Sequence, residues 1–264
     1  MVTGSSTGIG RAIAIRLAQQ GANVILHGRT DSEAIQSVSK AILDLGGQST
    51  KLLSDFSTIK SWDQFVTRAW SWQGDVDIWI NNAGGDVLTG DWPARDLEEK
   101  LNYLVQVDVT STLMLSRGAG ERMKNSAAKS ADKPGVPPGS KSIINIGWDQ
   151  AWQGMAGTSG ELFSTTKGAI MAMSKSLAQS FAPEVRVNCI APGWIQTKWG
   201  EQASTQWDQR AQAESLMKRW GTPEDVANAT AFLCSDQASF ISGQVLPVNG
   251  GFDLSQGSSV LKQD

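Results

Sequence analysis

Residues 3–10, Thr3-Gly4-Ser5-Ser6-Thr7-Gly8-Ile9-Gly10, gather three glycines into one turn that leads straight into a helix. Without Cβ atoms, such a backbone can come close to a phosphate. The first turn of the following helix adds free N–H groups and the positive end of its dipole. Ile9, Ile13 and Leu17 share one face of that helix, Arg11, Gln19 and Gln20 can face water, and Gly21 ends it. The chemistry on offer is capture of a phosphate chain by Gly4, Ser6, Thr7, Gly8, Ile9 and Gly10. A tight turn with no ligand carries the same residues, and the cluster alone does not separate the two.

The rest of the composition excludes more than it offers. A net charge of -3 argues against a nucleic-acid surface. Cys189, Cys234 and the single histidine, His27, match no metal spacing, so no metal is expected. No apolar run approaches a membrane span. No leader pattern precedes the glycine turn, which makes a cytoplasmic protein the expectation. Tryptophan is abundant, at 11 residues, whereas tyrosine occurs once, as Tyr103.

Positioning the turn needs strands and helices in alternation, and the pattern supplies them to the end of the chain. Strands are expected at 23–27, 48–53, 76–80, 142–147, 185–190 and 244–248, the third of them central and buried. Helices are expected at 31–45, from Trp62 through Ala69, at 97–124, at 160–181 and from Pro223, a good first-turn residue. Residues 125–141, rich in Ser, Gly, Pro and Lys, read as a surface loop. The segment up to Trp220 carries no clear pattern. Only Met1 and Val2 precede the glycine turn, so the first strand is either very short or begins before the sequence given. The fold class is α/β: one Rossmann-type, doubly wound parallel sheet flanked by helices, a single domain over 1–264.

Several marks recur in order along this frame. The glycine turn, Asn81-Asn82-Ala83-Gly84 after a strand, Lys167 within a helix, Pro192-Gly193 with Thr197, and Asn249-Gly250-Gly251 together resemble the short-chain dehydrogenase/reductase family over nearly the whole length. The resemblance implies NAD(H) or NADP(H) bound at the carboxyl ends of the strands. It places Asp55 and Phe56 at the adenine, and Asn82, Ala83 and Gly84 along the adenosine ribose. It places Lys167 at the other ribose, with Pro192, Gly193, Ile195 and Thr197 at the nicotinamide amide. An NAD site usually ends its second strand in a carboxylate, whereas Gly28 stands here with Arg29 next. A guanidinium suits a 2′-phosphate, so NADP(H) is preferred over NAD(H); a solvated turn arginine is the alternative.

The chain departs from the family where the chemistry should lie. The resemblance calls for a tyrosine four residues before Lys167, on the same helix face; Phe163 stands there. It calls for a serine after the fifth strand; Trp148 stands there, and an indole donates but cannot accept. The family's relay asparagine aligns with Asp108, inside the apolar run 104–115. Two buried charges that have lost their usual partners should compensate each other, so Asp108 and Lys167 are read as a pair; a carboxylate bonded to nearby backbone is the alternative. Asp149 and Glu161 are candidate replacement acids near the pocket rim, with helix capping as the plainer role. Trp148, Trp152, Trp194, Trp199, Trp207 and Trp220 form either an aromatic pocket or core and interface packing.

Two functions compete. One is an oxidoreductase with an altered proton donor, poor at ordinary carbonyl reduction. The other is a catalytically silent cofactor-binding or sensing protein. A purely structural oligomer fits the intact cofactor marks least. The expected partner is a small molecule, apolar or aromatic. The resemblance implies a homo-oligomer, a tetramer or dimer, and the apolar positions along 101–115 and 169–177 are compatible with that.

Overall fold

A computed structural model describes residues 1–130, 139–197 and 205–252. Six parallel strands form one sheet: β1 Val24–Gly28, β2 Ser49–Leu53, β3 Ile78–Asn81, β4 Lys141–Ile146, β5 Val185–Pro192 and β6 Val245–Val248. β1 and β2 are held to the other four strands through Val2, which bridges Leu26 and Ile80. Val2 N donates to Ile25 O, and Thr3 N to Ile80 O. The first strand is therefore present as this short bridge, in the central position the topology requires.

The helices are α1 Gly8–Gln19, α2 Glu33–Asp44, α3 Trp62–Trp70, α4 Leu97–Leu104, α5 Ser111–Ser130, α6 Gln150–Gln153, α7 Thr158–Phe181, α8 Thr205–Glu214 and α9 Pro223–Cys234. Alternate residues of a strand face opposite layers. Ile144 packs with Ile13, Ile35 and Val226 beneath α1, α2 and α9. Its neighbour Ile143 packs with Phe65, Leu115 and Phe181 beneath α3, α5 and α7. Both faces are covered, so the sheet is doubly wound, as the alternation implied.

Three expectations need correction. The helix read over 97–124 is interrupted by a π turn at Val105–Thr110, and its last part runs on to Ser130. Hence 125–130 is helical rather than loop, and Ser126 bonds Asp75 across to the strand layer. Lys141 opens β4 instead of closing a loop, 6% exposed, paired with Asp75 at 2.9 Å and Asp77 at 3.0 Å. β3 itself starts at Ile78, although the Asp77 carbonyl already accepts from Ser142 N at 2.9 Å. Residues 131–138 lie outside the described residues, as does Trp199. The patternless stretch before Trp220 holds α8.

Candidate cofactor cleft and adjoining cavity

Two cavities open at the carboxyl ends of the strands, of about 610 Å³ and 580 Å³, and share Ile9, Asn82, Gly85 and Thr197 in their walls. The larger is walled by the glycine turn and the ends of β1, β2 and β3. Gly4, Ser6, Thr7, Ile9 and Gly10 line it, with Arg29 after β1. Asp55 and Phe56 follow from β2, and Asn82, Ala83 and Gly84 from β3. Gly8 is absent from this wall; with φ at +53° it turns the chain beneath Thr197.

The turn is built by close approach. Gly4 has φ +60°, and a Cβ there would sit 2.8 Å from Ala83 Cα. A Cβ on Gly10 would strike the Gly4 carbonyl oxygen and the Asn82 amide nitrogen. Asn82 Nδ2 donates to Thr3 O and Gly4 O, both at 3.0 Å, so its side chain shapes the turn. Thr7 makes no side-chain cap at the start of α1. The first-turn N–H groups that a helix leaves unpaired therefore keep their capacity for an anion. A dinucleotide's phosphates fit that donor set.

His27 belongs to the cleft although its sequence position suggested only an isolated, metal-free histidine. Its Nδ1 accepts from Gly4 N at 3.0 Å, which makes Nε2 the donor to Ser54 O, also at 3.0 Å. The ring stacks on Phe56 at 4.3 Å. Burial pushes its pKa down to about 4, against hydrogen bonding to Ser54 and the charge of Asp55. A histidine held neutral this way stabilises the fold above its unfolded pKa and loses that contribution as pH falls. Between about 6.5 and about 4 the unfolded chain binds the extra proton, so stability should drop by on the order of 3 kcal/mol. Chemical denaturation at pH 7 and pH 4.5 checks this: the parent should lose more than His27→Gln does. Asp55 also lies in this wall. Burial raises its pKa, but the hydroxyl and N–H of Ser57 and the nearby Arg29 cation hold it below the usual carboxylate range.

The second cavity is walled by α7, the ends of β4 and β5, and the segment beyond β5. Trp148, Phe163, Lys167, Pro192, Gly193, Ile195 and Thr197 line it. Phe163 and Lys167 are one turn apart on α7. The Trp148 and Phe163 rings meet edge to face at 6.3 Å. Trp194, Trp207 and Trp220 complete the aromatic wall, whereas Trp152 is 53% exposed and does not line it. Trp194 packs at 5.5 Å from Trp207 and 5.8 Å from Trp220, so these rings pack together as well as line the space. Ser159, one turn before Phe163, also lines the cavity, with no motif in the sequence to mark it.

Asp108 and Lys167 come together between the cavities. Lys167 Nζ lies 2.9 Å from Asp108 Oδ2, out of line for a hydrogen bond, so the contact is an ion pair. Asp108 is fully buried, and its Oδ1 accepts from Gly85 N at 2.6 Å. The π turn carries Asp108 into this place, a location where such turns recur at functional sites.

The two candidate replacement acids do not reach the cavity. Glu161 is exposed, because two residues along a helix turn a side chain about 200° from Phe163. Asp149 is 4% exposed and lines neither cavity; its N–H donates to Pro192 O, and its Oδ2 accepts from Asn249 Nδ2 at 2.9 Å. Burial pushes its pKa up to about 6, opposed by the Asn249 bond and reinforced by Glu214. Here the folded state binds the extra proton, so this group's contribution to stability declines as pH rises from about 4 to about 6. Asp149→Asn should therefore raise stability at pH 7.5 by on the order of 1–3 kcal/mol, and thermal melts at pH 4.5 and 7.5 should show the gain only at the higher pH.

Among the described residues no helix is long and apolar enough to cross a membrane, and no cluster of His, Cys, Asp and Glu could hold a metal. A family model described as enoyl-(acyl carrier protein) reductase matches residues 4–253. The chain is 34% identical over 260 residues to the 3-oxoacyl-[acyl-carrier-protein] reductase of Aquifex aeolicus, covering 95% of each chain. It is also 34% identical over 261 residues to 3beta-hydroxysteroid dehydrogenase 1 of Eggerthella lenta, covering 97% of this chain and 94% of that one. Among solved structures, a 3-oxoacyl (acyl-carrier-protein) reductase from Agrobacterium tumefaciens with NADP bound superposes with a TM-score of 0.80 at 29% identity, covering 95% and 92% of the two chains. A 7 alpha-hydroxysteroid dehydrogenase complexed with NADH and 7-oxo glycochenodeoxycholic acid gives 0.81 at 29% identity, with the same coverage.

Proposed function

The chain belongs to the short-chain dehydrogenase/reductase family of oxidoreductases, and on that footing we propose that it binds NADP(H) and works without the phenol and serine hydroxyl that usually move the proton. The observation that carries this is Phe163, one turn before Lys167 and lining the same cavity as Trp148. Phenylalanine has no proton to give, and an indole can donate a hydrogen bond but not accept one. Loss of a general acid costs about 10²–10⁴ in rate, and loss of a carbonyl donor about 10²–10³. Ordinary tyrosine-assisted carbonyl reduction should therefore be slow.

The glycine turn and the start of α1 would hold the phosphates, and Asp55 with Phe56 the adenine. Asn82, Ala83 and Gly84 would flank the adenosine ribose, and Lys167 the other ribose. Pro192, Gly193, Ile195 and Thr197 would hold the nicotinamide. When bound, the nicotinamide supplies or accepts a hydride. Arg29, exposed beside Gly28 with no carboxylate at the end of β1, favours the 2′-phosphate. A charge-assisted contact of this kind is worth roughly 1.5–3 kcal/mol, so Arg29→Ala should weaken NADPH by about 10–100-fold and leave NADH nearly unchanged. Fluorescence titration of both nucleotides tests this; equal weakening of the two would count against the preference. The aromatic wall suits an apolar small molecule. Exposed Val105 in the π turn, with Leu113 and Met114 on α5, supports pairing of subunits there.

A silent cofactor-binding protein is the second reading, favoured by the packing of Trp148 on Phe163 in the space beside the nicotinamide wall. Turnover by the parent on a broad carbonyl and alcohol panel, with NADPH binding established first, decides between them.

A further inference from the structure

The cavity beside Phe163 must supply a proton if it reduces a carbonyl. Among the described residues lining it, the one titratable side chain is Lys167. The other polar groups are engaged or ill suited. Asn82 Nδ2 is bound to Thr3 O and Gly4 O. The Trp194 indole donates to Glu214 and the Trp220 indole to Asp208. Ser159 and Thr197 offer hydroxyls, which can orient an oxygen but do not ionise in the working range. A lysine ammonium, unlike the Phe163 ring, carries protons that it can donate.

Resting on the oxidoreductase reading above, we propose that the Lys167 ammonium itself is the acid, giving its proton to the substrate oxygen directly or through one water, with Asp108 as the positioning residue. In reduction, an N–H bond of Lys167 breaks and an O–H bond forms on the oxygen, which takes up the carbonyl π pair as the carbon accepts hydride from a reduced nicotinamide. Lys167 is left as a neutral amine and regains its proton from water; in oxidation the amine removes the alcohol proton. The geometry suits this division. Asp108 is fully buried and anchored by Gly85 N, whereas the Lys167 side chain keeps 15% of its surface exposed, on the cavity side. The carboxylate fixes the amine from below and remains out of reach of a ligand. The other titratable groups packed nearby are Cys189 on β5, whose thiol burial pushes up to about 12, and Tyr103 on α4, which lines the nucleotide cavity. Both stay uncharged through the neutral range, leaving Asp108, among the described residues, as the charge that Lys167 meets.

The test uses two variants of the whole chain. Lys167→Arg keeps a cation for Asp108 but has no proton to release near neutrality. It should lose about 10²-fold or more in turnover measured at saturating NADPH, with any weakening of its ribose contact read separately in the NADPH titration. Independently, in lysine 13Cε NMR of the cofactor-free protein, the signal that vanishes in Lys167→Arg should change its chemical shift in Asp108→Asn, because the carboxylate charge beside it is gone. Lys167→Arg turning over like the parent, or a lysine signal indifferent to Asp108→Asn, would overturn the proposal. The arginine comparison stands even where Asp108→Asn does not fold. A parent that binds NADPH and turns over nothing defeats the oxidoreductase reading as a whole; a parent matched by its arginine variant defeats only the proton role.

Discussion

Phe163→Tyr combined with Trp148→Ser is expected to raise NADPH-dependent reduction of small ketones by about 10²–10⁴-fold over the parent. The range follows from restoring a general acid and a carbonyl donor, without assuming that the two gains multiply. Tyrosine adds only an oxygen to the Phe163 ring, which already lines the cavity one turn from Lys167. Replacing Trp148 removes the ring that meets Phe163 edge to face and leaves a hydroxyl at the end of β4. Phe163→Tyr alone should recover part of the rate, and Trp148→Ser alone less, because a polarised carbonyl still needs its proton. Steady-state kcat/KM on a ketone panel measures this. A parent already as fast as the double variant would mean that the proton arrives efficiently by another route.

The second large effect is expected at Gly10. Gly10→Ala places a methyl group against the Gly4 carbonyl and the Asn82 amide, neither of which can yield without opening the turn. Overpacking against backbone of this kind should cost on the order of 3 kcal/mol in stability. NADPH binding should weaken by about 10²-fold or more, since the phosphate donors are set by the same turn. A thermal melt and a fluorescence titration read the two effects separately. At Gly8 the added methyl would, among the described residues, meet Thr197 at ordinary contact distance, 3.5 Å, so the penalty there comes from the positive φ. Gly8→Ala should lose about 1–2 kcal/mol and keep measurable binding.

What could be read in advance was whatever depends on local pattern. Alternating strands and helices revealed the doubly wound sheet, and the glycine spacing revealed the turn. Asp108 in an apolar run, and Lys167 without the tyrosine that the resemblance calls for, pointed to a pair found at 2.9 Å. What escaped depends on register and on neighbours distant in sequence. The π turn at Val105–Thr110 adds a residue without altering the apolar character of the run. His27 acquires its role from Gly4 and Ser54, 23 and 27 residues away. The place of Asp149 after Trp148 suggests the pocket rim, yet β4 gives way to a short helix that turns it toward Asn249. Helix α8 has few apolar residues to betray it, and Ala211 is its one buried side chain.

The most direct measurement is a crystal structure of the protein with NADPH. The expected result is the nicotinamide lying between the Pro192–Thr197 wall and the Phe163 and Trp148 rings, with Lys167 as the ionisable group nearest its open face. The hydroxyl of Tyr103, the chain's single tyrosine, over that face would contradict it, as would a nucleotide seated away from the glycine turn.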